Sequence, residues 1–272
     1  TLRAAVLWQQ QGICLLAGAT VRRPACLIKL TSGSTGAPRP LFFEAEQMIA
    51  DGQNIIKTMG IRREDTNLAA IPLGHSYGLG NLVMPLILQG TAIVTSNDFL
   101  PYSLAEVIHA SAVTVFPAVP AILNGLVRAG IPRTQLASIR TWISAGSPLS
   151  AEQAQSFYDT FCSKIHNFYG SSETGGVAYD RTGDEALKGS SIGQLLEGVQ
   201  AKNHASGRLL ISSGAVIRRN NHRREGSQGA YLSADLASLL PDGNIVLLGR
   251  RSRYVKLAGK RLNLSEIDRH LL

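Results

Sequence analysis

The sequence predicts an α/β fold: a layered, mostly parallel sheet with helices, plus a smaller β-rich subdomain. Three observations predict it. Apolar residues make up 44% and charged residues 17%, as in an ordinary globular protein. Up to about residue 180, short apolar runs alternate with amphipathic stretches at the spacing of strand–helix–strand units. Beyond that point the helical pattern fades and short β-like runs separated by turn residues replace it.

The individual elements follow from the same patterns. We expect a strand over residues 26–31 and an amphipathic helix over residues 43–59. Further strands are expected at 91–95, 113–117 and 139–144, and further helices at 102–110, 118–129 and 151–162. Ser150 and Gln153 have the spacing of a capping box at the start of the last helix. In the later part, strands are expected at 207–212 and 244–248.

The net charge is positive, because 27 Lys and Arg residues face 19 Asp and Glu residues, a formal charge of +8. Much of the excess comes late, at 218–224 and 250–261. The first of these clusters lacks the interleaved aromatic residues of a surface that binds single-stranded nucleic acid. A solvated loop is the first interpretation and a small polyanionic ligand the second, and we expect no nucleic-acid partner.

Neither a membrane span nor a disulfide framework is expected. The strongest apolar run, Leu82–Leu88, is too short for a bilayer and contains Pro85. The three cysteines, Cys14, Cys26 and Cys162, are far apart. Their spacing fits neither a set of disulfides nor a zinc site and favours a reducing compartment, so a cytoplasmic location is expected.

The first segment that can carry chemistry is the loop Thr31–Arg39, which is rich in Ser, Gly and Thr. Glycines let backbone N–H groups turn toward an anion, hydroxyls add donors and Arg39 adds positive charge, a combination that suits a polyphosphate. The loop lacks the G-x-x-x-x-G-K-[ST] pattern, which disfavours a P-loop kinase or GTPase. An ordinary turn stays open as the alternative.

The second segment, Gly74–Gly78, satisfies the pattern G-x-S-x-G of a hydrolase nucleophile elbow, with Ser76 as the nucleophile. It follows a candidate strand and precedes a possible helix, which is the context that such an elbow requires. The stretch before Ser76 contains no His-Gly-Gly oxyanion loop. The absence of this loop disfavours a serine hydrolase, which stays open as an alternative from a different class of enzyme.

The third and fourth segments follow candidate strands. Ser144–Leu149 consists mostly of small residues, which form either a strand-to-helix turn or a flat backbone ledge against a ligand ring. In Asn167–Gly176, Tyr169 beside a glycine offers a stacking face. Ser172 and Glu173 then supply a hydroxyl and a carboxylate for phosphate and Mg²⁺. A polar turn over a packed tyrosine is the ordinary alternative.

The fifth segment combines Ser233–Asp235 with Gly249 and Arg250. A carboxylate such as that of Asp235 can accept hydrogen bonds from both hydroxyls of a ribose. The guanidinium of Arg250 can add a bidentate contact. Taken alone, each of these residues also fits a turn or a surface charge.

These five segments, in this order, resemble the adenylate-forming (AMP-binding) superfamily, which includes acyl- and aryl-CoA synthetases, adenylation domains of peptide synthetases and luciferases. The resemblance runs from about Cys26 to the end of the chain. Several positions depart from the family's usual residues: Arg39 stands where lysine is common, Ser172 replaces a threonine, and Ser233-Ala234-Asp235 replaces T-G-D. Ser252 stands where Asp or Lys is common, and Leu264 stands where proline is usual.

The resemblance implies a role for each segment. Catalysis would involve His75 as gate to the acid pocket, Ser172 at the α-phosphate, Glu173 as Mg²⁺ ligand, and Arg250. Asp235 and Arg250 would hold the ribose. The remaining contacts with ATP would come from Thr31, Ser32, Gly33, Ser34, Thr35, Gly36, Arg39, Ala145, Gly146, Ser147, Tyr169 and Gly170.

The resemblance further implies two half-reactions. A carboxylic acid attacks the α-phosphate of ATP and releases pyrophosphate, and the thiol of coenzyme A then attacks the acyl-adenylate. An adenylation domain that loads a carrier protein and a catalytically silent nucleotide-binding fragment are the alternatives within the family. The stretch His75–Leu79 has no carboxylate to hold a substrate amine, which favours a plain acid. The sequence does not identify that acid.

Compared with the family, the chain is expected to be truncated at both ends. Few residues precede the loop, and the family's catalytic lysine lies beyond the last residue, since Lys256 and Lys260 come too early. The expected domains are therefore the α/β core of the large adenylation domain over 1–180, a β-rich subdomain over 181–249, and the hinge and start of a truncated C-terminal domain over 250–272.

Overall fold

The secondary structure comes from a computed structural model, which describes residues 5–10, 13–17, 26–31, 39–96, 98–218, 229–250, 254–257 and 260–263. Side chains are described for 26–30, 40–96, 98–218 and 229–249. The strands are β1 (Ala5–Gln10), β2 (Ile13–Ala17), β3 (Leu27–Thr31), β4 (Arg39–Phe43), β5 (Thr66–Ala69), β6 (Ala92–Thr95), β7 (Val115–Ala118), β8 (Thr141–Ser144), β9 (Ile165–Ser171), β10 (Gly175–Tyr179), β11 (Gln194–Leu195), β12 (Val199–Asn203), β13 (Arg208–Ser213), β14 (Ala230–Leu239), β15 (Ile245–Arg250), β16 (Tyr254–Leu257) and β17 (Lys260–Asn263). The α-helices are α1 (Ala45–Met59), α2 (Ser76–Gly78), α3 (Met84–Gln89), α4 (Pro101–Ala110), α5 (Pro120–Arg128), α6 (Ala151–Phe161) and α7 (Asp184–Lys188).

The larger sheet has the strand order β11-β10-β9-β8-β7-β5-β6 in the described part of the chain. Strands β6, β5, β7, β8 and β9 are parallel to one another, and β10 and β11 continue the sheet antiparallel. Strands β7 and β8 are buried at every position. Burial on both faces is typical of parallel strands covered by helices. The predicted layered, mostly parallel sheet is therefore confirmed.

The smaller sheet, β12-β13-β14-β15, is antiparallel throughout. Its apolar residues Leu209, Ile211 and Ala237 belong to the same buried cluster as Phe168 and Val177 of the larger sheet. The two sheets thus share a hydrophobic core, whose burial stabilises their contact. This smaller sheet is the predicted β-rich part of the α/β fold.

A second core lies between the larger sheet and the helices α4, α5 and α6. Trp142 of β8 is at its centre, with its ring centroid 5.4 Å from that of Phe116 and 5.0 Å from that of Phe157. Phe157 in turn contacts Phe161 at 4.8 Å. Such tilted and edge-to-face arrangements are favourable for aromatic pairs. These contacts pack α6 against the larger sheet.

The first predicted helix begins later than expected, because Phe43 belongs to β4, which pairs antiparallel with β3. Leu41 and Phe43 are both buried, as two residues on one face of a strand should be. The helix α1 then begins after Glu44, which forms a capping box with Gln47. The capping box predicted at Ser150 is confirmed, with its two hydrogen bonds at 3.2 Å.

No helix in the described ranges is both long and apolar enough to cross a bilayer. Of the basic clusters, Arg218 forms an ion pair with Glu44 at 2.9 Å, while residues 219–224 and 251–253 lie outside the described residues.

Candidate active site

The carboxyl ends of three parallel strands define one edge of the larger sheet. In register, Ala118 of β7 pairs with Ser144 of β8, and Ser144 pairs with Asn167 of β9. The buried phenol of Tyr77 donates to the backbone oxygens of Ala118 at 3.2 Å and Ile143 at 3.3 Å. This anchors the preceding residues over the same edge, where open α/β sheets bind their ligands.

The hairpin between β9 and β10 carries the fourth motif. Ser171 and Thr174 hold the turn by reciprocal backbone-to-hydroxyl hydrogen bonds of 3.2–3.3 Å. The backbone oxygen of Glu173 accepts from the N–H of Ile217 at 2.8 Å. The Glu173 side chain is half-buried. The backbone that carries Ser172 and Glu173 is therefore fixed from both sides of the turn.

The carboxylate of Asp51, on the buried face of α1, binds the backbone of this hairpin. Its Oδ1 accepts from the N–H of Gly176 at 2.8 Å. Gly175 has a φ of +69°, and a Cβ there would lie 2.3 Å from the same oxygen, so only glycine fits. Burial raises the pKa of Asp51, while Lys29 and the N–H of Gly176 act to lower it.

Tyr169 and Asp235 meet directly, although they lie 66 residues apart on different sheets. The phenol of Tyr169 donates to Asp235 Oδ2 at 2.7 Å. Ser233 Oγ fixes the strand by donating to the backbone oxygen of Asp235 at 2.7 Å and accepting from the N–H of Leu209 at 3.2 Å. Asp235 pairs in register with Arg250 of β15, whose side chain lies outside the described residues. The structure thus brings the fourth and fifth motifs together.

The second and fourth motifs also meet, because Ser76 Oγ donates to Ser172 Oγ at 2.9 Å. His75 is exposed, and its Nδ1 accepts from the N–H of Tyr77 at 3.2 Å. The hydroxyl of Ser76 is therefore directed at another serine, whereas a nucleophile elbow requires a histidine base within hydrogen-bond reach. Two histidines later in the chain, His166 and His204, bond with the backbone oxygen of Asp180 and with Ser206 Oγ.

The small residues after β8 lie at the same edge. The N–H of Ala145 donates to the oxygen of Ala118 at 3.2 Å, and Ala145 is buried, while Gly146 and Ser147 are exposed. Gly170 is exposed on β9, and a Cβ there would lie 2.5 Å from the oxygen of Gly175. These short side chains leave the backbone accessible to a flat ligand.

The Ser/Gly/Thr loop is only partly described. Residues 32–38, with Ser32, Gly33, Ser34, Thr35 and Gly36 among them, lie outside the described residues, as do the side chains of Thr31 and Arg39. The backbones of Thr31 and Arg39 pair at the end of the β3–β4 ladder, so the loop joins these two strands. Its role in phosphate binding stays a prediction.

Lys29 and Asp51 lie in the described part of the chain but in none of the five sequence motifs. Lys29 is buried on β3, with its Nζ 4.4 Å from the centroid of the Phe43 ring. A lysine inside an apolar run, and an aspartate between Met48 and Ile55 at helical spacing, were the signals available in the sequence. A charge at a position that the periodicity assigns to the core points to a buried polar contact, here that of Asp51 with the N–H of Gly176.

The donor set for a metal is small. In the described residues no group of three or more His, Cys, Asp or Glu side chains could hold a metal ion. Glu173 supplies a single carboxylate, which suits Mg²⁺ that is bound by one or two carboxylates and by the phosphates of a nucleotide. The residues therefore fit an ion that arrives with ATP as part of the substrate.

An aromatic ring, a carboxylate on a second sheet and a hydroxyl-bearing turn thus lie at the sheet edge where open α/β proteins bind their ligands. The family model described as AMP-binding enzyme matches residues 19–206. The chain belongs to that family.

Among curated relatives, a probable CoA ligase of Humulus lupulus is 26% identical over 89% of this chain and 48% of its own length. A feruloyl-CoA synthase of Amycolatopsis is 23% identical, over 90% of this chain and 53% of its own length. A siderophore peptide synthetase of Mycosarcoma maydis is 29% identical over 92% of this chain and 6% of its own length. The chain thus spans about half the length of the CoA ligases that it matches.

Solved structures show the same fold. o-Succinylbenzoate CoA synthetase from Bacillus subtilis superposes with a TM-score of 0.79 at 20% identity, covering 94% of this chain and 56% of the other. The amide bond synthetase from Marinactinospora thermotolerans gives a TM-score of 0.78 at 19% identity, covering 93% and 55%.

Proposed function

We propose that the chain forms the adenylate-forming part of an AMP-forming acid–thiol ligase, which activates a carboxylic acid with ATP and passes the acyl group to coenzyme A. The observation that carries this proposal is the hydrogen bond between Tyr169 and Asp235, because it unites an aromatic ring and a carboxylate beside the turn that bears Ser172 and Glu173. Membership of the AMP-binding family supports the class of reaction.

At the nucleoside end, the ring of Tyr169 stacks on adenine and the backbone at Ala145–Ser147 and Gly170 borders it. Asp235 accepts hydrogen bonds from the ribose hydroxyls, and Arg250, its partner in register, adds a donor. An accessible aromatic face is worth about 1–3 kcal/mol to a stacked base. These residues place the α-phosphate over the β9–β10 turn.

At the phosphate end, the hydroxyls and N–H groups of the loop Thr31–Arg39 bind the β- and γ-phosphates. Ser172 contacts the α-phosphate, and Glu173 binds the Mg²⁺ that accompanies ATP. A carboxylate and a triphosphate repel one another, so these groups must offset negative charge while they hold the reacting atoms in line. Mg²⁺ contributes charge stabilisation at the phosphoryl oxygens.

At the acid end, His75 is exposed and precedes Ser76 and the buried Tyr77 in the chain. His75 acts as the gate to the pocket that binds the acid. The substrate carboxylate is already ionised at neutral pH and attacks the α-phosphorus, so pyrophosphate leaves and no side-chain nucleophile is needed. The thiol of coenzyme A then attacks the carbonyl of the acyl-adenylate, and AMP leaves.

A carrier protein is the second candidate for the thiol acceptor, since peptide synthetases are among the relatives. The lack of a carboxylate in His75–Leu79 favours an acid without an amine, and so favours coenzyme A. The cytoplasmic location stays a prediction.

The test measures ATP binding by calorimetry on this chain, and ATP–pyrophosphate exchange with panels of fatty, aryl and amino acids on this chain and on a full-length version. We expect ATP binding, and exchange with one class of acid. Ser76→Ala should still bind ATP, with a small loss of affinity because Ser76 bonds to Ser172, whereas a serine hydrolase would lose all ester cleavage. Binding without exchange for any acid would favour the silent nucleotide-binding alternative, and absence of ATP binding would refute the proposal.

A further inference from the structure

The hydroxyls of Ser76 and Ser172 form a hydrogen bond that the proposed reaction does not use. Ser76 Oγ donates to Ser172 Oγ at 2.9 Å, although the two residues lie 96 positions apart in the chain. Both side chains are half-buried. The bond joins the segment after β5 to the β9–β10 turn, so it links the second and fourth motifs of the candidate site.

The position of Ser76 is fixed by the residue that follows it. The phenol of Tyr77 is buried and donates to the backbone oxygens of Ala118 at 3.2 Å and Ile143 at 3.3 Å. The backbone oxygen of Tyr77 accepts from Nδ2 of the buried Asn81 at 3.2 Å. Ser76 is therefore held at a fixed place relative to the ends of β7 and β8.

The turn that bears Ser172 is fixed by other contacts. Ser171 and Thr174 exchange backbone-to-hydroxyl hydrogen bonds of 3.3 and 3.2 Å. The N–H of Ile217 donates to the backbone oxygen of Glu173 at 2.8 Å. None of these bonds uses the hydroxyl of Ser172. The bond from Ser76 is therefore not needed to hold the backbone of the turn, and it acts on the direction of one hydroxyl group.

The roles of donor and acceptor decide what this bond can do. A serine hydroxyl has one proton to donate and two lone pairs that accept. Because Ser76 is the donor, Ser172 uses a lone pair in the bond and keeps its own proton. An accepted hydrogen bond also polarises the hydroxyl and so strengthens it as a donor. Ser172 is thus prepared to donate to an anion.

We infer that Ser76 is a positioning residue, which orients the hydroxyl of Ser172 so that its proton points to the α-phosphate of the nucleotide. The inference rests on the proposed function, because that function places Ser172 at the α-phosphate. Without Ser76, the hydroxyl of Ser172 rotates between its staggered positions, and ordering it on binding costs part of the affinity. Ser76 itself makes no contact with the nucleotide in this arrangement.

A purely structural role for Ser76 makes a different prediction. Tyr169, the proposed adenine-stacking residue, lies on β9, the strand that leads into the turn. If loss of the bond loosened this hairpin, adenosine and AMP would both bind less tightly. Loss of an oriented hydroxyl instead weakens the binding of AMP alone, since adenosine has no phosphate. The ratio of AMP affinity to adenosine affinity therefore separates the two roles, and it does not depend on turnover.

The test measures the affinities for AMP and adenosine by calorimetry in wild type, Ser76→Ala, Ser172→Ala and the double variant. We expect the ratio of AMP affinity to adenosine affinity to fall about tenfold in Ser172→Ala, which loses a hydrogen bond to a charged group. It should fall about threefold in Ser76→Ala, which keeps the donor but loses its orientation. The double variant should match Ser172→Ala, because Ser76 acts only through Ser172.

Ser103→Ala is the matched control, because Ser103 is a half-buried serine in the first turn of α4 whose hydroxyl donates to Asp98 Oδ2 at 3.2 Å. It should leave the ratio unchanged. Wild-type protein that binds neither AMP nor adenosine would refute the proposed function. If wild type binds AMP and Ser76→Ala has the wild-type ratio, only this inference is refuted. The same holds if the ratio of the double variant falls below that of Ser172→Ala.

Discussion

Two side chains from different sheets, Tyr169 and Asp235, share a hydrogen bond in the candidate site, and we propose that they bind the nucleoside. Tyr169→Phe keeps the ring but removes the hydrogen bond to a carboxylate, so we expect the free energy of unfolding to fall by about 1–3 kcal/mol. Tyr169→Ala also removes the stacking face, so AMP affinity should fall about fivefold or more. Urea unfolding and calorimetry with AMP measure the two effects.

Tyr102→Ala is the control for these variants, since Tyr102 is an exposed tyrosine whose phenol donates to the backbone oxygen of Ala129. It should leave AMP affinity unchanged. Equal AMP affinities for Tyr169→Ala and wild type would contradict the assignment of the adenine-stacking ring.

The Asp65–Arg140 pair predicts how stability depends on pH. Burial alone would raise the pKa of Asp65, but hydrogen bonds from Arg140, the N–H of Arg62 and Thr114 outweigh it and hold this pKa below its usual value. Because the folded-state pKa is depressed, the contribution to stability is present above the unfolded value of about 3.9 and is lost as the pH falls through the folded pKa.

Urea unfolding of wild type and Asp65→Asn at pH 7 and pH 3 checks this expectation. Asp65→Asn should lower the free energy of unfolding at pH 7 by about 1–3 kcal/mol. It should then lose less stability than wild type between pH 7 and pH 3. The exposed Asp159→Asn should behave like wild type, and a loss in Asp65→Asn as large as that of wild type would show that Asp65 does not contribute to the pH dependence.

At the scale of single elements, the β9–β10 hairpin depends on a glycine. Gly175 and Gly90 both have positive φ, but a Cβ at Gly175 would lie 2.3 Å from Asp51 Oδ1, whereas a Cβ at Gly90 would have no atom within 4 Å. We expect Gly90→Ala to cost about 1–2 kcal/mol of stability from backbone strain alone. Gly175→Ala should cost clearly more and weaken ATP binding, and thermal unfolding with calorimetry measures both. Equal costs would show that the clash with Asp51 is relieved.

The sequence predicted most of the parallel strands and the helices after them, because apolar periodicity and capping residues are local signals. Ser150 and Gln153 formed the expected capping box. The interpretation of Phe43 as helical was wrong, since one aromatic residue fits both a strand and a helix pattern until its partner on β3 is known. The long strand β14 also had no clear signal, because its inward side chains include Ser233 and Asp235.

At the scale of the whole molecule, a nucleoside bound between Tyr169 and Asp235 contacts both sheets. A ligand that binds only the folded state stabilises it by about 2.7 kcal/mol at 100 times its dissociation constant. We expect AMP to slow amide hydrogen exchange in β9–β10 and in β14 together. Mass spectrometry of exchange measures this, with β6 at the far edge of the larger sheet as the internal control. Protection in only one of the two sheets would contradict a site shared between them.

Short recognisable patterns in the sequence led to Tyr169, Asp235, Ser172 and Glu173 as candidate residues, and their roles stay predictions. These patterns could not select Asp51, whose hydrogen-bond partner Gly176 lies 125 residues away. Contacts between distant segments leave only a weak trace in one sequence, here a carboxylate on an apolar helix face. The supporting charges of a site are for this reason harder to predict than its motif residues.

The phenol of Tyr169 and the carboxylate of Asp235 come from separately hydrogen-bonded sheets, and this has a consequence for protein engineering. A scaffold that receives only the larger sheet would carry the Tyr169 ring without the carboxylate of Asp235. A scaffold that receives only the smaller sheet would carry the buried Asp235 without the phenol that donates to it. Transfer of the Tyr169–Asp235 pair to another scaffold therefore requires both sheets and the apolar interface between them.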